Sequence, residues 1–229
     1  MEYLTNFIEF SADDHRSIKN ASDLLQPLLS TITDVVYDKL FEYDITKASF
    51  TVEQSGFDGP IKSDLNEAKV TDPVIVYRKT MLKKYLHKIL NDELGPKFTK
   101  YLYWVGEIHS NTRYKTSSSD VEFINLNALT GFVTAALMNI INDSTQASWT
   151  PEERNKTLIA FSKFFWIQND TFLMYHAILQ DKVAELSRAP PKAESSPNTI
   201  SSYGPTAANA LLGFGIGAFL TMAISKLFK

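Results

Sequence analysis

The chain contains no cysteine. Disulfides, thiolate-bound metals, iron–sulfur clusters and cysteine nucleophiles are thereby excluded. Histidine is scarce. There are four, His15, His87, His109 and His176, and no two stand at a zinc-ligand spacing. Excess positive charge is missing too: the net charge is −3. A nucleic-acid partner is not expected, because such a partner calls for a basic face to neutralise phosphates. There is no glycine-rich phosphate loop. Gly213, Gly215 and Gly217 follow no strand and lie within an apolar run near the C-terminus, so they are no dinucleotide fingerprint. No Ser/His/Asp arrangement has a local signature. The N-terminus carries Glu2, Glu9, Asp13 and Asp14 in place of a basic stretch followed by an apolar one, so no signal peptide is expected. Triplets such as Asn155 to Thr157 then read as accidental glycosylation matches. Alternating apolar and polar residues never run far enough to suggest a strand.

What remains is a helical pattern. The 229 residues, 44% apolar and 21% charged, suffice for one ordinary domain with appendages. Aromatic residues reach 12%, which suits a core lined by large flat groups. From Asp13 to Asp44, Leu24, Leu25, Leu28, Leu29, Ile32, Val35, Val36 and Leu40 recur at helical spacing, with Asp23 as the expected cap and Pro27 in the first turn. Gly56, Gly59 and Pro60 punctuate an irregular stretch from Ile45 to Asp72. A middle helix is expected from Pro73 to about Leu90, capped by Asp72, and ended by Gly95 and Pro96. A short helix then runs from Lys97 to His109. Asp120 is expected to cap a long apolar helix through Ile141. Thr150, Pro151, Glu152 and Glu153 carry the cap, first-turn proline and paired acids of a last helix, expected to reach about Leu186. The fold class is all-α.

The composition changes after residue 188. Pro190, Pro191, Ser195, Ser196, Pro197 and Pro205 mark a flexible linker over 189–205. Over 206–228 the chain is apolar apart from residues such as Asn209, Thr221, Ser225 and Lys226. That length can span a hydrocarbon core. With Lys226 and Lys229 at its end, the layout is that of a membrane tail anchor with the preceding domain facing the cytosol. A short anchor with a basic end suggests the mitochondrial outer membrane or the endoplasmic reticulum. Asn209, Gly213, Gly217, Thr221 and Ser225 recur every four residues and form a small-residue face suited to a homodimer.

Chemistry narrows to one histidine, at the end of an aromatic-rich helix that includes Tyr101, Tyr103 and Trp104. Spacing alone leaves His109 equally readable as a helix C-terminal cap, favoured by the dipole. The segment Val105-Gly106-Glu107-Ile108-His109, however, resembles the proximal region of the globin-sensor and protoglobin family. An earlier helix carries Tyr37 between Asp34 and Leu40, similar to that family's distal tyrosine motif. The middle helix lies between the two, and two long helices follow the histidine. The resemblance covers roughly residues 15 to 187.

It implies a globin-like helical fold that binds haem, with His109 as proximal iron ligand and Tyr37 as a distal hydrogen-bond donor to a diatomic gas. Leu82 falls where the family places a bulky distal residue. Leu86, one turn on, or Tyr85 completes that wall. His87 is expected to face outward, His176 to be a packing or surface residue, and His15 to be exposed. Sensing, oxygen handling and redox chemistry such as nitric-oxide removal all fit such a site. Unlike sensor members, the sequence carries no kinase, cyclase or methyl-accepting module after the globin region, so signalling would need a partner. The alternatives are a globin fold without haem, serving as an interaction module, and an unrelated all-α tail-anchored adaptor.

Overall fold

A computed structural model describes residues 2–53, 56–110, 122–144 and 149–178. The chain divides into two units, Met1–Arg188 and Ala189–Lys229. The described residues all belong to the first. The linker over 189–205 and the apolar run over 206–228 lie outside them, as does Asp120.

The described residues form helices and no strand. In order these are α1 (Glu2–Phe7), α2 (Ala12–Asn20), α3 (Ser22–Leu25), α4 (Leu29–Phe41), α5 (Asp44–Lys47), α6 (Pro73–Asn91), α7 (Pro96–Ile108), α8 (Phe123–Asp143) and α9 (Pro151–Leu173). A π-helical turn, Met174–Ile178, continues α9. The expected single helix from Asp23 is a chain of shorter pieces. α3 starts at Ser22 without a side-chain cap, and Pro27 sits in a 3-10 turn, Gln26–Leu28, that leads into α4. α2 has a reciprocal cap: Ser11 accepts from Asp14 N–H, and the Asp14 carboxylate accepts from Ser11 N–H at 2.8 Å. Thr150 and Glu153 cap α9 in the same way, with the Thr150 N–H 2.7 Å from the Glu153 carboxylate.

α9 is the central helix, packed against α2, α7 and α8. Its buried residues include Phe161, Phe164, Phe165 and Ile167. The buried positions of α4 are Leu29, Ile32, Thr33, Val36 and Tyr37, one helical stripe, and α4 packs on α6. α8 buries Leu126, Val133, Leu137 and Ile141 and meets α9 as a hairpin. Arg154 of α9 donates to the carbonyls of Asn142 at 2.8 Å and Ser144 at 3.0 Å, satisfying the end of α8. By length and composition α8 alone among the described helices could cross a membrane. Its buried stripe at spacings of seven and four residues is equally that of a core helix.

Candidate functional site

α7 buries Phe98, Leu102, Val105 and Gly106, and His109 follows on the same line as the C-terminal cap residue. The face is fixed by a glycine. A Cβ at Gly106 would stand 2.9 Å from the Thr171 carbonyl oxygen and 3.0 Å from its hydroxyl. Only a residue without a side chain lets α7 approach α9 this closely. The close approach expected at Gly106 is therefore between helices. Trp104, on the opposite side, is 51% exposed.

His109 is half-buried. Its Nδ1 lies 2.7 Å from the carbonyl oxygen of Val105, one turn back. A carbonyl only accepts, so Nδ1 carries the hydrogen in this bond. The neutral ring then has its lone pair on Nε2. This is how a metal-binding histidine is oriented and held in one tautomer by a group behind it. The ring also meets Phe172 edge-on, with centroids 5.4 Å apart. Val105, Leu126 and Phe172 form a small apolar cluster on this side.

Tyr37 belongs to the larger cluster, which includes Val36, Val74, Ile75 and Leu86. Its ring packs on Phe50 at 5.7 Å between centroids. Burial pushes its phenol far above the ordinary range, and nearby Arg78 opposes only part of that. The phenol therefore stays an O–H donor at neutral pH. Beside Phe50 lies a cavity of about 130 Å³, lined by Phe41, Phe50, Val74 and Ile75 among others, with Lys62 and Asp72 paired at 3.4 Å on its wall. That is small beside the roughly 300–1,000 Å³ of most ligand pockets.

The α6 residues divide between these regions. Leu82 is half-buried against the large cluster. Leu86 faces deep into it, beside Leu25, Leu29, Leu137 and Phe161. Tyr85 touches both clusters. Its hydroxyl is 3.2 Å from the Gln168 side-chain oxygen, and its ring is tilted against Tyr101 at 6.4 Å. Gln168 is only 1% exposed. It donates to the Thr171 hydroxyl at 2.6 Å, and that hydroxyl donates back to the Gln168 carbonyl at 2.7 Å. A buried polar chain thus links α6 to the stretch of α9 facing Gly106.

The other histidines are placed as follows. His87 is exposed. His15 is half-buried, in place of the exposure expected, because its Nε2 bonds the Asp92 carbonyl at 2.9 Å. His176 bonds back to the Phe172 carbonyl at 2.9 Å and packs on Phe123. Two residues escaped the sequence reading. Gln168 is a polar position among the apolar residues of α9, and spacing alone does not mark it as buried. Arg78 stands four residues before Leu82 and seven before Tyr85, on one helical line. A cation on that line was the available signal.

Among the described residues no three His, Cys, Asp or Glu side chains converge to hold a bare metal ion. One backed imidazole beside apolar walls instead fits a metal that brings its other ligands with it, as haem does.

The all-helical packing of the described residues, with a backed histidine ending a short helix, is consistent with a globin-type protein. A sequence model of the protoglobin family matches residues 1–180, and the chain belongs to that family. It is a family of globin-type, gas-binding proteins that in general bind haem. A comparison with curated proteins gives no match.

Proposed function

We propose that this chain is a haem globin that binds a diatomic gas, with His109 as the proximal iron ligand and Tyr37 as the distal donor. The observation carrying this reading is the bond from His109 Nδ1 to the Val105 carbonyl. It puts the hydrogen on Nδ1 and makes Nε2 the acceptor nitrogen of the neutral ring, the form an axial ligand requires. Haem, when bound, would supply an iron able to take a gas reversibly. The chain's residues do the rest. Phe172 limits the swing of the His109 ring. Tyr37, kept protonated by burial, donates a hydrogen bond that slows ligand release. Leu82 and Tyr85 wall the slot, and Leu86 supports that wall from the core. The proposed organisation is a haem domain over 1–188, a linker over 189–205 and a tail anchor over 206–228. The anchor would hold the domain at the cytosolic face of the mitochondrial outer membrane or endoplasmic reticulum, with its glycine face open to a homodimer.

The test is the absorption spectrum of the chain purified with added haem. A Soret band is expected, and it should weaken and shift in His109→Ala. A missing band, or one unchanged in that variant, overturns the reading. A fluorescent fusion of residues 189–229 should label one of the two membranes; diffuse cytosolic signal removes the anchor.

One observation favours a second reading, a globin fold without haem that serves as an interaction module. Tyr85, half-buried and bonded to Gln168, occupies space where the two clusters meet. On that reading wild-type protein takes up no haem, and Tyr85→Ala gains haem binding.

A further inference from the structure

We propose that the outer face shared by α6 and α7, built on Lys84, Lys88, Lys97, Lys100 and Trp104, docks on the headgroups of an anionic lipid surface and so holds the domain against the membrane in one orientation. The inference takes its reach from the anchor reading above and is independent of haem.

The cations are segregated on this side. The chain is net negative, at −3, yet α6 carries Arg78, Lys79, Lys83, Lys84 and Lys88 with no Asp or Glu from Pro73 to Asn91. Packing sorts them. Lys79 pairs with Asp34 at 2.7 Å, and Lys83 donates to Ser30 at 2.7 Å, so both are committed to α4. Lys84 and Lys88 stand one turn apart on a different line of the helix. The Lys88 ammonium lies 5.0 Å from the centre of the Tyr101 ring, and Tyr101 stacks on Trp104 with centroids 5.7 Å apart. These contacts carry the cationic line of α6 onto the exposed side of α7. Lys97 stands two turns before Trp104 and Lys100 one turn before it, both on the indole's side of the helix. Lys84, Lys97, Lys100 and Trp104 are all exposed.

The acids nearby are engaged elsewhere. Asp92 pairs with Lys88, and Glu93 with Lys19. The Tyr175 phenol is raised by burial and then by the Glu107 carboxylate, which sets that acid beside the π-helical turn after α9. Lys84, Lys97 and Lys100 have no acidic partner among the described residues.

Exposed lysines alone are an ordinary solvated face. The indole among them marks this one. At a membrane surface a tryptophan places its apolar body toward the acyl chains and its N–H toward water. Lysine stems lie along apolar surface while their ammonium groups reach the phosphates. A chain with the length and composition of 189–205 spans roughly 20–30 Å on average. An anchor over 206–228 would thus keep the domain within reach of the headgroups. The lipid surface is then present at high effective concentration, and individually weak contacts suffice. A free acidic protein has no such advantage.

The experiment uses the full chain with Trp149→Phe and Trp166→Phe, which leaves Trp104 as the one indole. It is reconstituted into vesicles of neutral phosphatidylcholine, with or without phosphatidylserine, all carrying lipid brominated on its acyl chains. Bromine quenches an indole that reaches the interface. Strong quenching is expected in the anionic vesicles and little in the neutral ones, and raised salt should relieve it. Replacing Lys84, Lys97 and Lys100 together by Gln should lower the ratio of docked to undocked protein about tenfold or more, given about fivefold per lysine. Replacing the same three by Arg should keep it. A chain that floats with neutral vesicles but shows no added quenching with phosphatidylserine overturns this inference and leaves the anchor standing. Quenching unchanged in the triple Gln variant also overturns it. Binding to polyglutamate without any response to anionic lipid assigns the face to an acidic polypeptide, with the same result. A chain that floats with anionic vesicles alone, with Trp104 quenched, removes the anchor and supports the face. A chain that floats with neither removes both.

Discussion

A Cβ placed on Gly106 would stand 2.9 Å from the carbonyl oxygen of Thr171. The obstacle is backbone, and it cannot swing aside as a side chain can. The helix that ends at His109 is thus held against α9 by the absence of one methyl group.

Gly106→Ala should therefore destabilise the domain, although alanine is the better helix former. Forcing a methyl into a closed contact costs about 1–3 kcal/mol. A thermal melt should show a midpoint lower by a few degrees for each kcal/mol. An unchanged or raised midpoint would mean that α7 does not lie this close to α9.

Tyr85 and Gln168 give a second test. Tyr85→Phe leaves the buried Gln168 oxygen without the donor it has at 3.2 Å. A cost of about 1–3 kcal/mol is expected in denaturant unfolding. Adding Gln168→Leu should make the tyrosine substitution cheaper, because no acceptor is left stranded. Strictly additive effects in the double-mutant cycle would show that the two side chains do not interact.

Alkaline pH acts on the same region. The phenols of Tyr37 and Tyr85 are raised by burial, and that of Tyr101 is pushed up to about 12. Below pH 10 all three are protonated in both the folded and unfolded chain, so they add no pH dependence. Between pH 10 and 12 the unfolded chain releases protons that the folded chain retains. Stability should therefore fall as pH rises through this window. Urea midpoints measured from pH 8 to 11 should decline at the upper end, and Tyr37→Phe should flatten the decline. A flat wild-type profile would contradict the burial of these phenols.

Near the middle of α9, Lys163 donates to the Glu9 carbonyl at 2.9 Å and to the Asp14 carboxylate at 3.1 Å. Both members of the ion pair are largely shielded, with side-chain exposures of 24% and 11%. Lys163→Met should loosen the first two helices ahead of the rest. Amide exchange should quicken over residues 2–20 while α8 keeps its protection. Uniform change along the chain would show that this tie is not local.

Helix identity was legible because burial follows the 3.6-residue period: the long helices α6 and α8 stand within a few residues of where the pattern puts them, and α9 starts where its cap is expected, while its expected end near Leu186 lies outside the described residues. The expectation was poorest where chain geometry depends on short-range turns. Pro27 was compatible with the start of a helix and with a 3-10 turn, and apolar spacing cannot separate them. α1 has too few residues for a period to show. The reciprocal cap of Ser11 and Asp14 was present as a Ser-x-x-Asp spacing, but no strong apolar stripe followed to draw attention to it. At the site, His109 stood out by family resemblance and position. Its bond to Val105 required knowing that α7 continues unbroken to residue 108. Arg78 and Gln168 were hidden because a polar residue on a mostly apolar line reads as exposed until its neighbours in space are known.

The bond that aims His109 has a consequence for how freely this protein can change. Its acceptor is a main-chain oxygen, and every amino acid brings one. Residue 105 may therefore be exchanged for another apolar residue with the ring's aim preserved, provided that the turn between 105 and 109 keeps its pitch. Position 106 has no such latitude. Sequence drift along α7 is thus steered by two neighbouring positions of opposite character, one permissive and one closed. A survey of natural variants should find many side chains at the first and glycine at the second.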